Sequence, residues 1–417
     1  MAESKATTAT RGDGTGQGIA PAARARLIEM ARHNIATVHS GAIDQAPDVL
    51  RVPAHHYYDP ERWQLEIEQV FKRVPLMLAM SCELKQPGDF KTLEVAGVPV
   101  LMVRDEHLDV RAYVNSCSHR GAVIVTDASG NRKRFTCPYH AWTYDHGGNL
   151  VAVYAEADFG EIDKSCHGLT ELPVGERAGM IWVNLDADSA LDIDTFLCGY
   201  DQVLESFGFA DWALFDSRTL PSPNWKVAYD GYMDLYHLPI LHRNTFGANM
   251  PNQALYYPWG PHQRVSSPNP ELLKYEQKPE SEWPTEELIK SVWTIFPHIS
   301  IASFDGGGGR AVMVSQLFPG DTPLESRTVQ NYVMEKLPTS DEVRDAANEQ
   351  FKLLEYVVSE EDYATGFRQQ RALMSRPGAE VMFGRNEAGG QHFHGFLDKL
   401  LACPDEGLPA LFREAAG

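Results

Sequence analysis

The chain has 417 residues and a formal net charge of -20, from 37 basic and 57 acidic side chains. This acidic balance repels phosphate backbones and therefore argues against a nucleic-acid partner. No run of residues approaches the roughly 18 apolar residues that a membrane span requires. The six cysteines are too sparse for a disulfide scaffold in a chain of this size. We therefore expect a reduced, cytoplasmic protein with no membrane partner.

The first 185 residues divide into three parts that differ in composition and residue pattern. Residues 1–48 are expected to be a tail that is largely disordered or helical. In residues 49–75 a helix is predicted from Pro60 to Arg73, because Asp59 can cap it and proline suits its first turn. Residues 76–185 contain short β-rich runs, such as FKTLEV, VPVLMVRD and GMIWVNLD, separated by turn residues. This pattern predicts a small all-β module.

The remaining residues, 186–417, have a mixed pattern. ISIASFDGGGGRAVMVSQLFP predicts two strands joined by a Gly-rich turn, and RTVQNYVMEK predicts a third strand. The stretch from Ser340 to about Met374 is charged and periodic, which predicts a long helix. Strands followed by helices, after an all-β module, indicate an α+β chain.

Two short segments carry paired thiol and imidazole side chains. CSHRG contains Cys117 and His119, CPYHAW contains Cys137 and His140, and seventeen residues separate His119 from Cys137. A closed tetrahedral zinc site accepts two Cys and two His ligands. A Rieske [2Fe–2S] cluster uses the same four ligands, with two Cys on one iron and two His on the other. Because each segment supplies one Cys and one His, the division favours the Rieske cluster over zinc.

The residues around these pairs, CSHRG and CPYHAWTYD-G, resemble those of the large catalytic subunit of Rieske non-haem iron oxygenases, the ring-hydroxylating oxygenases. The resemblance implies a Rieske [2Fe–2S] domain at 76–185 and a mononuclear-iron catalytic domain at 186–417, with residues 49–75 packed on the latter. The catalytic domain is expected to be an antiparallel sheet flanked by helices, of the helix-grip type. By the same resemblance, Cys117 and Cys137 hold one iron, and His119 and His140 hold the other. One departure is Ala141, where the family commonly has Gly.

A second group of ligand types follows in NWKVAYDGYMDLYHLPILH. His237 and His242 are five residues apart, about 140° around a regular helix, which is too far to share a metal. We expect Pro239 to break the helix between them and to bring the second imidazole round. Asp234, three residues before His237, is expected on the same helical face. Two His and one carboxylate form the facial triad of oxygen-activating Fe(II) enzymes.

The family resemblance indicates the third ligand in SEEDYATGFRQQRAL. The family pattern there is an acidic pair, with a Gln eight residues after the ligand and then a small residue and Leu. Asp362 with Gln370, Ala372 and Leu373 matches this register. Asp362 is therefore the predicted ligand of a mononuclear Fe(II), Glu361 is the reserve, and a solvated acidic run is the alternative.

The resemblance also implies how electrons reach the second metal. Asp234 corresponds to an acidic residue that bridges a cluster histidine of one subunit and an iron histidine of the next, in a head-to-tail homotrimer. Some family members add a β subunit. A separate NAD(P)H-dependent reductase, with or without a ferredoxin, would supply electrons, because this chain has no GxGxxG after a strand.

Two other clusters have weaker interpretations. The basic run Arg132-Lys133-Arg134 lies between the two Cys/His segments and is a candidate docking patch for an acidic electron donor. A solvated hairpin tip explains it equally well. His392 and His394 resemble ligands, but both metal sites are complete without them, so we expect a packing role.

The sequence predicts an oxygenase component that uses O2 to hydroxylate or dihydroxylate an aromatic or other hydrophobic small molecule, as in aromatic hydrocarbon catabolism. Oxidative O- or N-demethylation uses the same iron site and stays open, as do a zinc-stabilised binding protein and a pure Rieske electron carrier. Arg243 or Arg310 is a candidate partner for a substrate carboxylate. The expected pocket is apolar and is drawn from Met233, Leu238, Leu241, Phe246, Ile295, Ile301, Phe304 and the C-terminal helix.

Overall fold

The structure is a computed structural model and describes residues 19–306 and 308–416. The start of the predicted tail lies outside these residues, and its described part contains a helix, α1, from Pro21 to Ser40. Leu27 and Met30 of α1 are buried in the main core. Within the described residues, no helix is long and apolar enough to cross a membrane.

The strands of the described residues fall into five sheets, and every strand pair is antiparallel. In chain order they are β1 Leu50–Pro53, β2 Leu76–Met80, β3 Asp89–Val95, β4 Val98–Arg104, β5 Val110–Val114, β6 Ser129–Asn131, β7 Phe135–Thr136, β8 Thr143–Tyr144, β9 Leu150–Ala152, β10 Val174–Arg177, β11 Met180–Val183, β12 Ala213–Ser222, β13 Leu255–Trp259, β14 His262–Ser266, β15 Val292–Ile295, β16 Ile299–Gly306, β17 Gly309–Pro319, β18 Ser326–Met334 and β19 Glu380–Phe383.

Most helices of the described residues lie in the second half of the chain. After α1 they are α2 Pro60–Glu66, α3 Glu156–Phe159, α4 Ile193–Leu197, α5 Tyr200–Leu204, α6 Trp225–Met233, α7 Leu238–Leu241, α8 Thr285–Leu288, α9 Asp341–Tyr356, α10 Ala364–Met374, α11 Ala388–Ala402 and α12 Leu408–Ala415. Two π-helical segments, Ile67–Phe71 and Val357–Tyr363, continue α2 and α9. The predicted Pro60 helix is confirmed, and the Asp59 side chain accepts a hydrogen bond from Arg62 N, 2.8 Å away, as an N-cap.

The predicted all-β module consists of three small sheets. Their strand orders are β10-β11-β2, β5-β4-β3-β6 and β7-β8-β9. The part that carries the Cys/His segments has its own core, in which Phe90, Tyr113, Phe135 and Trp142 are buried. This local core packs directly behind the two Cys/His segments, while other residues of the same strands, such as Val100 and Ala112, belong to the main core.

The later part of the chain is built on a seven-stranded sheet with the order β12-β18-β17-β16-β15-β14-β13. Strands β16 and β17 pair from Ile299↔Gln316 to Gly306↔Gly309, which confirms two strands joined by the Gly-rich turn; Gly307 lies outside the described residues. Helices α6 and α9 lie against this sheet, and α10 packs on α6. The α+β prediction, with an antiparallel sheet and flanking helices, is confirmed.

The two faces of this sheet meet different partners because successive residues of a strand point to opposite sides. Ser315 of β17 lies beside the Tyr232 side chain of α6. Its neighbour Gln316 donates through Nε2 to the Met77 carbonyl of β2, 2.8 Å away. One face therefore supports the helices, and the other packs on the all-β part.

The helix break after α6 differs from the prediction. Helix α6 ends at Met233, and Asp234 is already extended, with φ -105° and ψ 115°. Pro239 lies in the first turn of α7, where its missing N–H costs no hydrogen bond. Pro239 therefore starts a helix instead of ending one. The turn between Asp234 and His237 brings the two imidazoles together.

The long helix predicted from Ser340 is present but interrupted. Ser340 caps α9 by accepting a hydrogen bond from Val343 N, and helical structure continues to Met374. Between α9 and α10 the seven residues Val357–Tyr363 form the π-helical segment, which is wider than an α-helix. Glu361 and Asp362 both lie in it.

A fully buried charge pair joins the N-terminal segment to α6. Glu66 and Lys226 are 0% and 1% exposed in their side chains and form an ion pair. Trp225 Nε1 donates to Glu66 Oε2 at 2.9 Å, and Arg62 Nε donates to Glu66 Oε1 at 2.9 Å. Because both oxygens of Glu66 are satisfied, the pair offsets its desolvation and fixes the start of α6.

We predict that Glu66→Gln destabilises the fold by about 3–5 kcal/mol, because it leaves the Lys226 ammonium buried without a counter-charge. The matched control is Glu68→Gln, which removes a partly exposed ion pair with Lys72 and should cost less than about 1 kcal/mol. Urea unfolding followed by circular dichroism measures both changes. Equal effects of the two substitutions would contradict the prediction.

Candidate metal centres

The two Cys/His segments form loops with the same hydrogen-bond pattern. In the first loop, Gly121 N donates to the Cys117 carbonyl at 2.8 Å, and Cys117 N donates to Ala122 O at 2.9 Å. In the second, Ala141 N donates to the Cys137 carbonyl at 2.9 Å, and Cys137 N donates to the carbonyl of the fifth residue on, at 2.8 Å. The paired loops present one thiol and one imidazole each.

The fourth residue after each cysteine has a positive φ. Gly121 has φ 75°, which glycine adopts without strain, whereas Ala141 has φ 56°. A left-handed alanine costs about 1–2 kcal/mol. The departure at Ala141 from the family's usual Gly is therefore accommodated with the loop conformation unchanged, at the expense of some stability.

The four side chains match the needs of a [2Fe–2S] cluster. The Cys117 and Cys137 residues are 3% and 2% exposed, and their thiols lie next to each other. Burial, together with the neighbouring Cys137 thiol, raises the pKa of Cys117, so thiolates here need a cation. His119 Nδ1 is buried and has no hydrogen-bond partner, as expected for an atom that ligates a metal.

Aromatic rings fix the two imidazoles. The His119 ring lies 4.8 Å from that of His140, and it stacks on Trp142 at 4.8 Å with an interplanar angle of 11°. The Tyr144 hydroxyl lies 3.2 Å from Cys117 Sγ, within hydrogen-bond distance of the sulfur. Hydrogen bonds to cluster sulfurs tune reduction potential, so Tyr144 is a candidate functional residue that the sequence analysis missed.

The second group brings together all three of its predicted members. Among the described residues, ligand atoms of His237, His242 and Asp362 lie within 4.8 Å of one another. The two imidazole Nε2 atoms are 3.2 Å apart. Asp362 Oδ1 is 3.2 Å from His242 Nε2 and 3.6 Å from His237 Nε2. Two nitrogens and one carboxylate oxygen therefore converge on one point.

The Nδ1 atom of each imidazole, which faces away from the converging ligand atoms, lies beside a separate carboxylate. His237 Nδ1 lies 3.1 Å from Asp234 Oδ2, and His242 Nδ1 lies 2.7 Å from Glu361 Oε2. Burial alone would lower the pKa of His242, but the hydrogen bonds and charges of Asp362 and Glu361 outweigh it and raise the pKa. Glu361, the reserve ligand, thus lies on the far side of the ring from the ligand atoms.

Close backbone packing holds the His242 loop. Gly247 N donates to the His242 carbonyl at 2.9 Å, and a Cβ at Gly247 would lie 2.1 Å from the Leu238 carbonyl. No other residue type fits at Gly247 without moving α7. Phe246 stacks on the His242 ring at 4.9 Å and limits its tilt.

The donor set of this group fits Fe(II). Two imidazoles and one carboxylate on one side, with positions left open, is the arrangement of non-haem iron oxygenases. Three lone-pair donors this close repel one another unless a cation lies between them. Asp362 and His237 are 27% and 21% exposed in their side chains, so the site is reachable from outside.

The sheet face towards α6 carries a row of polar residues, which the expected apolar pocket did not include. The row consists of directly paired residues and crosses six strands, and the Tyr232 and Tyr229 side chains of α6 lie beside two of its members, Ser315 and Thr294. The row consists of Arg218, Gln330, Ser315, Ser300, Thr294 and Gln263.

Two residues of the expected pocket lie elsewhere. Ile295 and Ile301 belong to the opposite face of the sheet, where both are 0% exposed in the main core. Successive side chains of a strand point to opposite faces. Thr294 and Ser300 point towards α6, so their neighbours Ile295 and Ile301 point away from it. Ser300 Oγ is buried there without a partner.

The remaining predicted residues have structural partners. His394 Nε2 lies 3.0 Å from Asp230 Oδ1, and His392 Nε2 lies 2.6 Å from the Gly260 carbonyl, so both histidines pack as expected. Arg243 is exposed and bonds the Ile240 carbonyl. Arg310 pairs with Glu335 at 3.4 Å. Neither arginine contacts the three converging side chains through these bonds.

Two family models match the chain in tandem. The Rieske [2Fe-2S] domain matches residues 74–164, and the ring hydroxylating alpha subunit catalytic domain matches residues 209–402. The first range contains both Cys/His loops, and the second contains the three converging side chains. Together the matches cover more than half of the chain.

Curated relatives include enzymes with different named substrates. The chain is 30% identical to the anthranilate 1,2-dioxygenase large subunit of Acinetobacter baylyi over 49% of its length and 45% of the relative's. It is 31% identical to the glycine betaine monooxygenase oxygenase subunit of Chromohalobacter salexigens, over 48% and 46%. It is 34% identical to benzene 1,2-dioxygenase subunit alpha of Pseudomonas putida, over 45% and 43%. The chain thus spans about half the length of the curated relatives that it matches.

Solved structures share the fold over most of both chains. The quaternary ammonium Rieske monooxygenase CntA in complex with L-carnitine matches with a TM-score of 0.71 at 22% identity, over 85% of this chain and 96% of that one. Naphthalene 1,2-dioxygenase from Rhodococcus sp. bound to indole matches with a TM-score of 0.70 at 20% identity, over 90% and 98%. With the two tandem matches, these likenesses lead to one conclusion: the chain belongs to the alpha subunits of the Rieske non-haem iron oxygenases.

Proposed function

We propose that this chain is the terminal oxygenase component of a system that hydroxylates a small organic molecule with O2 and reductant. The observation that carries the proposal is the presence of two donor sets of different chemistry in one chain. Two thiols with two imidazoles suit an electron-relaying cluster, and two imidazoles with one carboxylate suit an oxygen-activating iron. A zinc-binding protein or a pure electron carrier has no use for the second set.

In this proposal Cys117, Cys137, His119 and His140 hold the [2Fe–2S] cluster. Neutral imidazoles in place of two thiolates raise the reduction potential, so a modest donor can reduce the cluster. His237, His242 and Asp362 hold a mononuclear Fe(II), as implied by the spacing of their ligand atoms. Iron bound there would supply the activation of dioxygen, a chemistry that belongs to the metal. The proposal includes four segments: a tail at 1–48, an N-terminal helical segment at 49–75, a Rieske domain at 76–185 and a catalytic domain at 186–417.

Asp234 holds the His237 ring in place. Asp234 Oδ2 accepts a hydrogen bond from His237 Nδ1, and Tyr236 N donates to Asp234 Oδ1 at 2.5 Å. The side chain of Asp234 is 26% exposed, which leaves room for a further donor. We propose that a cluster histidine of a neighbouring subunit is that donor, and that Asp234 bridges the two centres for electron transfer.

Exposed apolar side chains support a head-to-tail homotrimer. Tyr139 and Phe159 near the cluster loops are 57% and 47% exposed, and Ile240 and Phe246 near the second site are 68% and 47% exposed. Apolar groups at two functional sites are typical of surfaces that a partner covers. A second copy that places its cluster loops over this iron site would cover both patches. A β subunit and a ferredoxin are optional in this proposal, whereas a separate reductase is required.

We propose an aromatic substrate, by analogy with the named substrates of anthranilate and benzene dioxygenases. The second candidate is oxidative demethylation of a quaternary ammonium compound, as the names of glycine betaine monooxygenase and CntA suggest.

Product analysis tests the proposal. The protein is incubated with a surrogate reductase, NADH and O2, and with panels of aromatic acids, unsubstituted aromatics and quaternary ammonium carboxylates. We expect a hydroxylated, dihydroxylated or demethylated product that contains oxygen from labelled O2 or releases formaldehyde. The control is His237→Ala with His242→Ala, which should abolish the product and leave the cluster absorption intact. Product formation by this double variant would contradict the mechanism.

Lys133 and Arg134 are exposed beside the cluster loops, whereas Arg132 pairs with Asp127. We predict that Lys133→Glu with Arg134→Glu slows reduction of the cluster by an acidic ferredoxin about tenfold at low salt and removes its salt dependence. Stopped-flow absorbance measures the rate. The control, Lys336→Glu with Lys352→Glu, makes the same charge change at two other exposed positions. If both double variants are reduced at the native rate, the docking role is wrong.

A further inference from the structure

Glu361 makes the shortest contact between a carboxylate and an imidazole at the second site, and it does so away from the predicted ligand atoms. Its Oε2 lies 2.7 Å from His242 Nδ1, and its side chain is only 12% exposed. We propose that Glu361 is a positioning residue for His242: it holds the Nδ1 proton, so that Nε2 keeps its lone pair for a metal. The inference rests on the proposed function, since it assumes that His242 binds iron.

Because His242 is buried, its contact with Glu361 decides which ring nitrogen carries the proton. His242 is 2% exposed, so its Nδ1–H cannot turn to water if Glu361 is lost. A neutral imidazole carries one proton, and the partner of one nitrogen decides which nitrogen is free. Because the Glu361 carboxylate accepts from Nδ1, the proton stays on Nδ1 and the Nε2 lone pair faces Asp362 and His237.

The π-helical segment explains how neighbouring residues reach opposite sides of one ring. Glu361 contacts Nδ1 of His242, and Asp362, the next residue, contacts Nε2. The segment is anchored from below, because the Tyr363 hydroxyl is hydrogen-bonded to Thr328 of β18 and to Tyr232 of α6. π-helical turns occur often at functional sites, where they redirect side chains in this way.

A second contact links Glu361 to the His242 loop. The Thr245 hydroxyl lies 3.0 Å from Glu361 Oε2, the same oxygen that faces His242. The carboxylate therefore connects the loop after α7 to a segment more than a hundred residues later in the chain. By contrast, Asp234 serves His237 from only three residues away. Glu361 fixes one ligand and ties together the two segments that supply the site.

The competing explanation is that Glu361 only stabilises the fold through a buried ion pair. The two roles differ in what a neutral substitution does. An amide at position 361 fills the same space and still bonds the ring, but its NH2 can donate to Nδ1 and favour the wrong tautomer. A positioning role therefore predicts a loss of metal affinity larger than any loss of stability.

The experiment compares Glu361→Gln with Glu360→Gln, which neutralises an exposed neighbouring carboxylate. The mononuclear site of the full-length protein is cleared with a chelator and titrated anaerobically with Fe(II), and bound iron is measured after gel filtration. We expect about 10–100-fold weaker binding for Glu361→Gln and native binding for Glu360→Gln. The cluster absorption and the thermal midpoint, read on the same samples, should be native in both.

Two further variants separate the possible failures. Asp362→Ala should abolish binding at this site; native-like titration of both Asp362→Ala and Glu361→Gln would refute the proposed iron site itself. Loss in Asp362→Ala together with native affinity in Glu361→Gln would overturn only the positioning role. If Glu361→Gln loses its cluster absorption and misfolds, Thr245→Val decides, with a smaller loss of affinity supporting the role and native affinity overturning it.

Discussion

The convergence of His237, His242 and Asp362 is the constraint on which the rest of this molecule depends. Three groups with lone pairs directed at one point repel one another. A fold keeps them there only if other residues contact each group on the side that faces away from that point. Asp234 and Glu361 hold the two imidazoles, and the anchored π-helical segment holds the carboxylate. The seven-stranded sheet provides the rigid base to which both supplying segments are fixed.

The cluster loops must also hold their ligand groups close together, but they do so through different contacts. Their thiols are buried and close together, and the hydrogen-bond pattern of the two loops is the same. Here rings and a tyrosine hydroxyl take the place of carboxylates, since Trp142 stacks on His119 and Tyr144 reaches Cys117. A relay of single electrons requires little movement of its ligands, and this packing restricts them.

The sequence predicted those features that depend on residue type and spacing. The Cys/His loops, the two-histidine segment and the strands around the Gly-rich turn all follow from local pattern, and the family register led to Asp362. It did not predict the end of α6 at Asp234, because proline suits both the end and the start of a helix. It also missed the role of Glu361, since only the π-helical segment decides which of two adjacent carboxylates faces which nitrogen.

Two residues of the expected apolar pocket were placed wrongly for a related reason. Ile295 and Ile301 are as apolar as a pocket wall requires, but strand alternation and register turn them to the far side of the sheet. Register is a tertiary property, and the sequence alone did not fix which of two alternating faces would meet α6. The residues beside the α6 hydroxyls, among them Ser315 and Thr294, are polar.

Two separate iron centres in one chain, a cluster and a mononuclear site, give a defined content of iron and inorganic sulfide, which is measured in protein purified or reconstituted without oxygen. We expect about three iron atoms and about two sulfides per chain. Two irons to two sulfides, or zinc in place of iron without sulfide, would rule out this pair of centres.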